Sequence, residues 1–283
     1  GGDGTAVKRR LLFVHAHPDD ESSKGAATAA RYVDEGAEVV LVTCTGGEAG
    51  EVLNPAMEPV ADEEMTFVRQ AELEAAVAIL GFTDTYQLGY RDSGYHEDPD
   101  AVPDGTFART PIDEPAGRLA EIIGEVRPEV VVTYPEDGGY PHPDHIMVHE
   151  VTMRALELAE ASQTSPWRVP KVYACTAFPA DRVVALHTAM LERDLESPFE
   201  GWMERRAERR EATDEVDACI EVGKWFERRD EALLAHATQI DPDGFWFAVP
   251  RELEREVFPF ECYHLLRSDV TTEPPEHDLF AGL

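Results

Sequence analysis

Short apolar runs, each leading toward a helical pattern, constrain this chain more than any other feature. Residues 11–15 read LLFVH, residues 39–44 read VVLVTC and residues 130–134 read VVVTY. Runs of this length that are apolar at nearly every position are typical of strands covered on both faces. A helix is expected over 23–35, stopped by Gly36. A second is expected over 63–80, stopped by Gly81, with Val68, Ala71, Ala75 and Ile79 recurring at helical spacing. Further helices are read at 114–126 and 143–161, a weaker strand at 86–88 and a fifth strand at 171–175. Residues 91–110, rich in Asp, Gly and Pro, read as a long loop, and such loops are often functional. This alternation predicts an α/β fold: a Rossmann-like, mainly parallel sheet flanked by helices. From 176 onward the pattern changes. Helical stretches dominate to about 239, followed by two strand-like pieces at 245–249 and 260–265. We therefore expect a core over 1–175 and a helix-rich, mixed α+β cap over 176–283 that is integrated with it.

The charge narrows the function. Lys and Arg number 25 and Asp and Glu 57, a formal net charge of −32, and such a surface repels phosphate backbones and anionic membranes. No nucleic-acid partner is expected. No apolar run is long enough for a membrane span, and Lys8, Arg9 and Arg10 lead straight into the first strand without a secretory pattern. Cys44, Cys175, Cys219 and Cys262 are scattered and form no CxxC, which suits reduced thiols in a cytoplasmic protein. The sequence leaves the oligomeric state open.

Two motifs fall directly after strands. His17-Pro18-Asp19-Asp20-Glu21 follows LLFVH, and Gly138-Gly139-Tyr140-Pro141-His142-Pro143-Asp144-His145 follows VVVTY. If the strand order is 3-2-1-4-5, strands one and four are neighbours. Both motifs then meet where the order reverses, the position at which open α/β sheets bind ligands. A catalytic zinc takes three His or carboxylate ligands and keeps one position open for water. His17 and Asp20 can supply two ligands from one loop, and the third imidazole can come from His142, His145 or His149. Asp19 is then placed as a base beside the metal. Alone, either Asp could be a helix N-cap, and His145 and His149 could lie on a solvated helix face. His15 reads as a packed histidine. A nucleotide-binding reading would need GxGxxG where HPDDE stands, and the HExxH of zinc proteases is absent.

VHAHPDDE together with GGYPHPDH resembles the LmbE-like N-acetylglucosaminyl deacetylase superfamily. Nearly the whole chain is similar to it, including HAHPDDESSKGAAT (15–28), TGGEAGEVLNPAM (45–57), RDSG (91–94), PDGTF (103–107), HATQIDP (236–242) and DLF (278–280). Lys24 makes the chain more similar to the mycothiol S-conjugate amidase subfamily than to the related deacetylases, which usually carry an uncharged residue there. Residues 181–217 match least well. The resemblance implies one Zn2+ per chain on His17, Asp20 and His145, with Asp19 as general base. It implies that His142 acts as an acid or stabilises the oxyanion, and that Tyr140 polarises the carbonyl. Lys24, Arg69 and Asp92 would contact the substrate; alternatively, Arg69 forms an exposed ion pair with Glu72 or Glu74, and Asp92 is a turn residue. His236 and Gln239 could border the pocket. The implied activity is hydrolysis of the amide between glucosaminyl-inositol and an S-conjugated acetylcysteinyl group. The alternative is N-deacetylation of N-acetylglucosaminyl-inositol or of a secondary metabolite.

Overall fold

A computed structural model describes residues 8–208 and 215–283, with side chains of 206–208 left aside. Residues 1–7 and, within the expected helical stretch up to 239, residues 209–214 lie outside the described part. The elements in chain order begin with β1 (Arg10–His15), α1 (Asp20–Ser23), α2 (Ala26–Asp34), β2 (Glu38–Thr45), α3 (Asp62–Leu80) and β3 (Asp84–Tyr90). There follow α4 (Asp113–Val126), β4 (Val130–Thr133), α5 (Pro143–Glu160), β5 (Lys171–Thr176), α6 (Ala180–Glu192) and α7 (Glu200–Glu208). The chain closes with β6 (Ala218–Glu221), α8 (Phe226–Ala235), α9 (Arg251–Val257) and β7 (Phe260–Ser268).

The sheet runs β3-β2-β1-β4-β5-β7-β6. Its first five strands are parallel, and β7 and β6 join antiparallel. The expected 3-2-1-4-5 order is thus present, with β1 and β4 adjacent and the reversal between them. Along β1 the side chains alternate between two cores. Leu12 and Val14 pack with residues of β2, α4 and α5, while Leu11 and Phe13 pack with Tyr32, Tyr173, Phe226 and Tyr263 on the opposite face. Each such fully buried side chain contributes about 1.5–3 kcal/mol. Both faces being covered explains why these strands read as unbroken apolar runs. Among the described residues, no helix is long and apolar enough to cross a membrane.

Three expectations are corrected. The helix expected over 23–35 is two helices. The chain breaks at Lys24 and Gly25, where Gly25 takes φ 70° and a Cβ would stand 2.9 Å from the Phe13 ring. Only glycine fits both the left-handed backbone and the approach to β1. The strand expected at 245–249 is a 3₁₀ turn over Phe245–Phe247. Its aromatic side chains join a cluster with Phe178, Phe199 and Trp202, so tertiary stacking rather than a ladder takes up the apolar run. Conversely, β6 was hidden in the stretch read as helical. Four residues at a sheet edge are too few for a period to show.

Besides β7, the residues after β5 reach the parallel core through α8, which packs on α3 through the small side chains Ala76 and Ala232 beside Ala26, Ala30 and Leu80. This brings the residues just after α8 against the loop that leaves β1.

Candidate metal centre and catalytic loop

Four residues separate β1 from α1, and they turn sharply. Asp19 adopts φ 110° and ψ −27°, a left-handed conformation that costs a non-glycine residue about 1–3 kcal/mol. The surroundings hold it there. Its backbone N–H donates to Glu21 Oε1 at 2.9 Å, and its carbonyl accepts from Ser22 and Ser23 N–H at 2.9 and 3.1 Å. Arg69, only 3% exposed, donates to the carbonyls of Pro18 and Gly47 and lies 3.3 Å from Asp19 Oδ2. The exposed ion pair with Glu72 or Glu74 is not what Arg69 forms. Glu72 instead accepts from the N–H and hydroxyl of Thr238 at 2.7 and 2.6 Å.

The strained turn separates the two carboxylates. Asp19 keeps 24% of its side-chain surface accessible, against 7% for Asp20. Burial, opposed by Arg69 and reinforced by the neighbouring charge of Asp20, raises the Asp19 carboxyl to about 6. For Asp20, burial opposes ionisation, but Lys24 and then the surrounding imidazoles hold it well below the usual carboxylate range. Asp20 Oδ1 accepts from Lys24 Nζ at 3.2 Å. Its Oδ2 accepts from the Tyr134 hydroxyl at 3.0 Å and from the His17 N–H at 2.9 Å. Lys24 is therefore a half-buried partner of Asp20, 16% exposed in its side chain, and it sits at the break between α1 and α2 rather than at a helix start.

The second motif arrives from β4. Gly138 takes φ 78°, and a Cβ there would stand 2.9 Å from the His145 Cβ, so this glycine lets the turn close over His145. His142 is the N-cap of α5: its Nδ1 accepts the Asp144 N–H at 3.0 Å. That bond places the proton of a neutral His142 on Nε2. Burial, then the neighbouring His17, lowers its pKa and keeps the ring neutral. Tyr140 is 46% exposed, with its ring edge-on to His145 at 4.7 Å. Burial and nearby carboxylates raise its pKa, so it remains a phenol that donates.

His17, Asp20 and His145 each offer one ligand atom within 4.8 Å of the others, all buried. Asp20 Oδ2 lies 3.7 Å from His17 Nδ1 and 3.4 Å from His145 Nε2. Neither ring nitrogen of His145 has a hydrogen-bond partner, although the residue is 1% exposed. Burial depresses its pKa strongly, which keeps the imidazole neutral. A buried, neutral, unpartnered imidazole facing a carboxylate is what a cation site requires. A second group able to hold a metal comprises His17, Asp92, His142 and Asp144. Three of its donors are already engaged with one another: His17 Nε2 lies 2.8 Å from Asp144 Oδ2 and 3.3 Å from Asp92 Oδ1. The first group therefore fits a metal better. The His149 ring turns away, its Nδ1 2.7 Å from the Tyr134 carbonyl, and it belongs to neither group. His15 is buried with Nδ1 2.8 Å from the Tyr134 hydroxyl.

Two neighbours, Asp144 and Glu21, were given no role from the sequence, whereas Asp92, His236 and Gln239 were. Asp144 is fully buried, and its Oδ2 also accepts the Ser93 N–H at 3.0 Å. It orients His17 as outer carboxylates orient metal-bound histidines. Its place between two histidines of HPDH was the available signal. Asp92 accepts the Gly94 N–H at 2.9 Å as a turn residue does, and yet stands beside His17. His236, fully buried, donates from Nε2 to Glu21 Oε2 at 2.8 Å. Glu21 thereby links the residue after α8 to the Asp19 backbone. Gln239 Nε2 donates to the Glu51 carbonyl at 2.9 Å, bracing the loop after β2. We predict that Asp144→Asn weakens metal affinity by about 10–100-fold, read by competition with a chromogenic chelator. Unchanged affinity would remove Asp144 from the site.

Comparison with known proteins decides the family. The PIG-L model, described as GlcNAc-PI de-N-acetylase, matches residues 12–156. The mycothiol S-conjugate amidase of Streptomyces coelicolor is 49% identical over 97% of each chain. This chain belongs to the PIG-L family. It is a hydrolase acting on amides. A second relative in this family, the 1D-myo-inositol 2-acetamido-2-deoxy-alpha-D-glucopyranoside deacetylase of Geodermatophilus obscurus, is 43% identical over 97% of this chain and 98% of its own. Among solved structures, a 4-carboxy-2-hydroxymuconate hydratase from Pseudomonas putida superposes with TM-score 0.62 at 18% identity, covering 94% of this chain and 99% of its own. A hydratase on the same fold shows that the PIG-L assignment rests on sequence relatives and not on architecture.

Proposed function

We propose that this chain is a zinc-dependent amidase, working in the cytoplasm, that cleaves the amide between glucosaminyl-inositol and an S-conjugated acetylcysteinyl group. The observation that carries the metal chemistry is the unpartnered His145 imidazole facing Asp20, with the more open Asp19 beside them. His17, Asp20 and His145 would hold the ion, and the N/O donor set with neutral imidazoles suits zinc. When bound, zinc supplies an acidified water and a Lewis acid for the carbonyl. Loading at His17 competes with a proton: despite burial, Asp144 and Asp92 raise its pKa well above the usual imidazole value.

The remaining work falls to the chain. Asp19, the more open of the two carboxylates, accepts the proton of the attacking water. The Tyr140 hydroxyl and the His142 Nε2–H donate to the oxygen that gains charge. Asp19 or His142 returns a proton to the departing amine. Arg69 and Glu21 keep the Asp19 turn in place, and Asp92 with Lys24 would meet the substrate beside the ligands. Residues 176–283 serve as a cap on the 1–175 core, a reading supported by the His236–Glu21 bond.

The second reading, N-deacetylation of N-acetylglucosaminyl-inositol, is favoured by the deacetylase relative at 43% identity. Steady-state kinetics on both substrates separate the two. We expect kcat/KM to be higher for the S-conjugate, and a preference for the N-acetyl compound would reverse the assignment. We also expect Lys24→Ala to lower kcat/KM for bulky S-conjugates by a few tens-fold, the scale of one charge-assisted hydrogen bond, with a smaller loss on the N-acetyl substrate. Equal losses on both would mean that Lys24 acts only through Asp20.

A further inference from the structure

The four cysteines are all free thiols, but two of them are neighbours. Cys219 on β6 and Cys262 on β7 stand directly opposite in the antiparallel ladder, with their sulfurs 3.3 Å apart. The Cys219 N–H donates to the Glu276 carbonyl at 2.8 Å, away from β7. The two cysteines therefore form a non-hydrogen-bonded pair. In such pairs the Cα atoms approach to about 4.5 Å and the side chains are closest, a spacing within the range that disulfides span. Cys219 is half-buried while Cys262 is buried. Cys44 and Cys175 are also buried, and each lies on a parallel core strand. No step of the amide hydrolysis uses any of them.

We propose that Cys219 and Cys262 form a reversible dithiol–disulfide site that reacts with small molecular disulfides, independently of the amidase reading. Cys219 is the attacking thiol, because only it reaches the surface. As a thiolate it attacks one sulfur of R–S–S–R, forming a Cys219–S–S–R mixed disulfide and releasing one RS⁻. The Cys262 thiol then gives up its proton and attacks the Cys219 sulfur. This forms the Cys219–Cys262 bond and releases the second RS⁻. The two protein thiols lose two electrons and two protons, and R–S–S–R becomes two RSH. The contact between the sulfurs supports the order of attack: it lowers the Cys219 pKa and, with burial, raises that of Cys262. Closure ties the sheet-edge strand β6 to β7. On β7 the adjacent Glu261 accepts from Thr28 N–H and hydroxyl at 2.7 Å each, at the start of the helix that follows Lys24. The disulfide would thus stiffen the strand that anchors α2.

The test is treatment of the folded protein with 2-hydroxyethyl disulfide, an uncharged probe that the acidic surface does not repel. Intact mass and non-reducing peptide maps are the readout. The expected product has lost about 2 Da, contains one cross-linked pair, Cys219 with Cys262, and returns to the dithiol with dithiothreitol. Cys262→Ser should stop at the mixed disulfide on Cys219, and Cys219→Ser should take up no probe at Cys262. An adduct that persists on wild-type Cys219 without closure would overturn the proposal, as would closure involving Cys44 or Cys175. A wild-type chain that fails to react while folded, yet reacts when unfolded in urea, would overturn it equally.

Discussion

Asp19→Asn is expected to lower kcat by about 10²–10⁴-fold, the usual scale of a lost general base, while metal content stays at the wild-type level. Asparagine keeps the shape of the side chain and tolerates left-handed backbone as aspartate does, so the φ 110° turn should survive. What disappears is proton acceptance. The backbone bonds to Glu21, Ser22 and Ser23 remain, as do the Arg69 bonds to Pro18 and Gly47. Single-turnover rates with metal analysis of the same sample make the check. A variant that loses metal would identify Asp19 as a ligand, and one with near-normal kcat would place the base elsewhere.

Asp20→Ala is expected to have the larger effect, because it removes a ligand and the partner of a half-buried cation together. Metal content should fall to near zero, with turnover down by about 10⁴-fold or more. The Lys24 ammonium, 16% exposed and 3.2 Å from Asp20 Oδ1, would be left with Ser23 Oγ as its neighbour. Leaving a half-buried charge without its counter-ion costs part of the roughly 3–5 kcal/mol of a fully buried pair, so the melting temperature should drop as well. Asp20→Ala combined with Lys24→Met separates the two consequences: stability should recover while metal binding does not. Recovery of both would mean that Asp20 serves the fold and not the metal.

Both variants probe residues that the sequence marks out for a physical reason. Strands buried on two faces must be apolar almost throughout, so the parallel core was legible from LLFVH, VVLVTC and VVVTY, and with it the point where strand order reverses. Loops at that point carry the chemistry, which made HPDDE and HPDH the residues to watch. The same reasoning could not see the sheet edge. β6 is four residues long, and the aromatic run 245–249 looked like a strand until its rings stacked on Phe178 and Phe199.

What the sequence by itself determined is the local set: which residues could ligate, which could accept a proton, and which ends of which strands bear them. Tertiary structure decided how each is used, since burial and partnership belong to no single segment. Arg69 could equally have been a solvated ion pair; α3 packed beside the β1 loop turns it inward to hold the Asp19 turn. His149 and His145 lie one helical turn apart, and only the closure of the Gly138 turn over α5 leaves His145, rather than His149, facing Asp20. His236 lies 215 residues from Glu21 in the chain, and no periodicity relates two such positions. Their bond exists because α8 packs its small residues against α3, placing a buried imidazole where a buried carboxylate needs one.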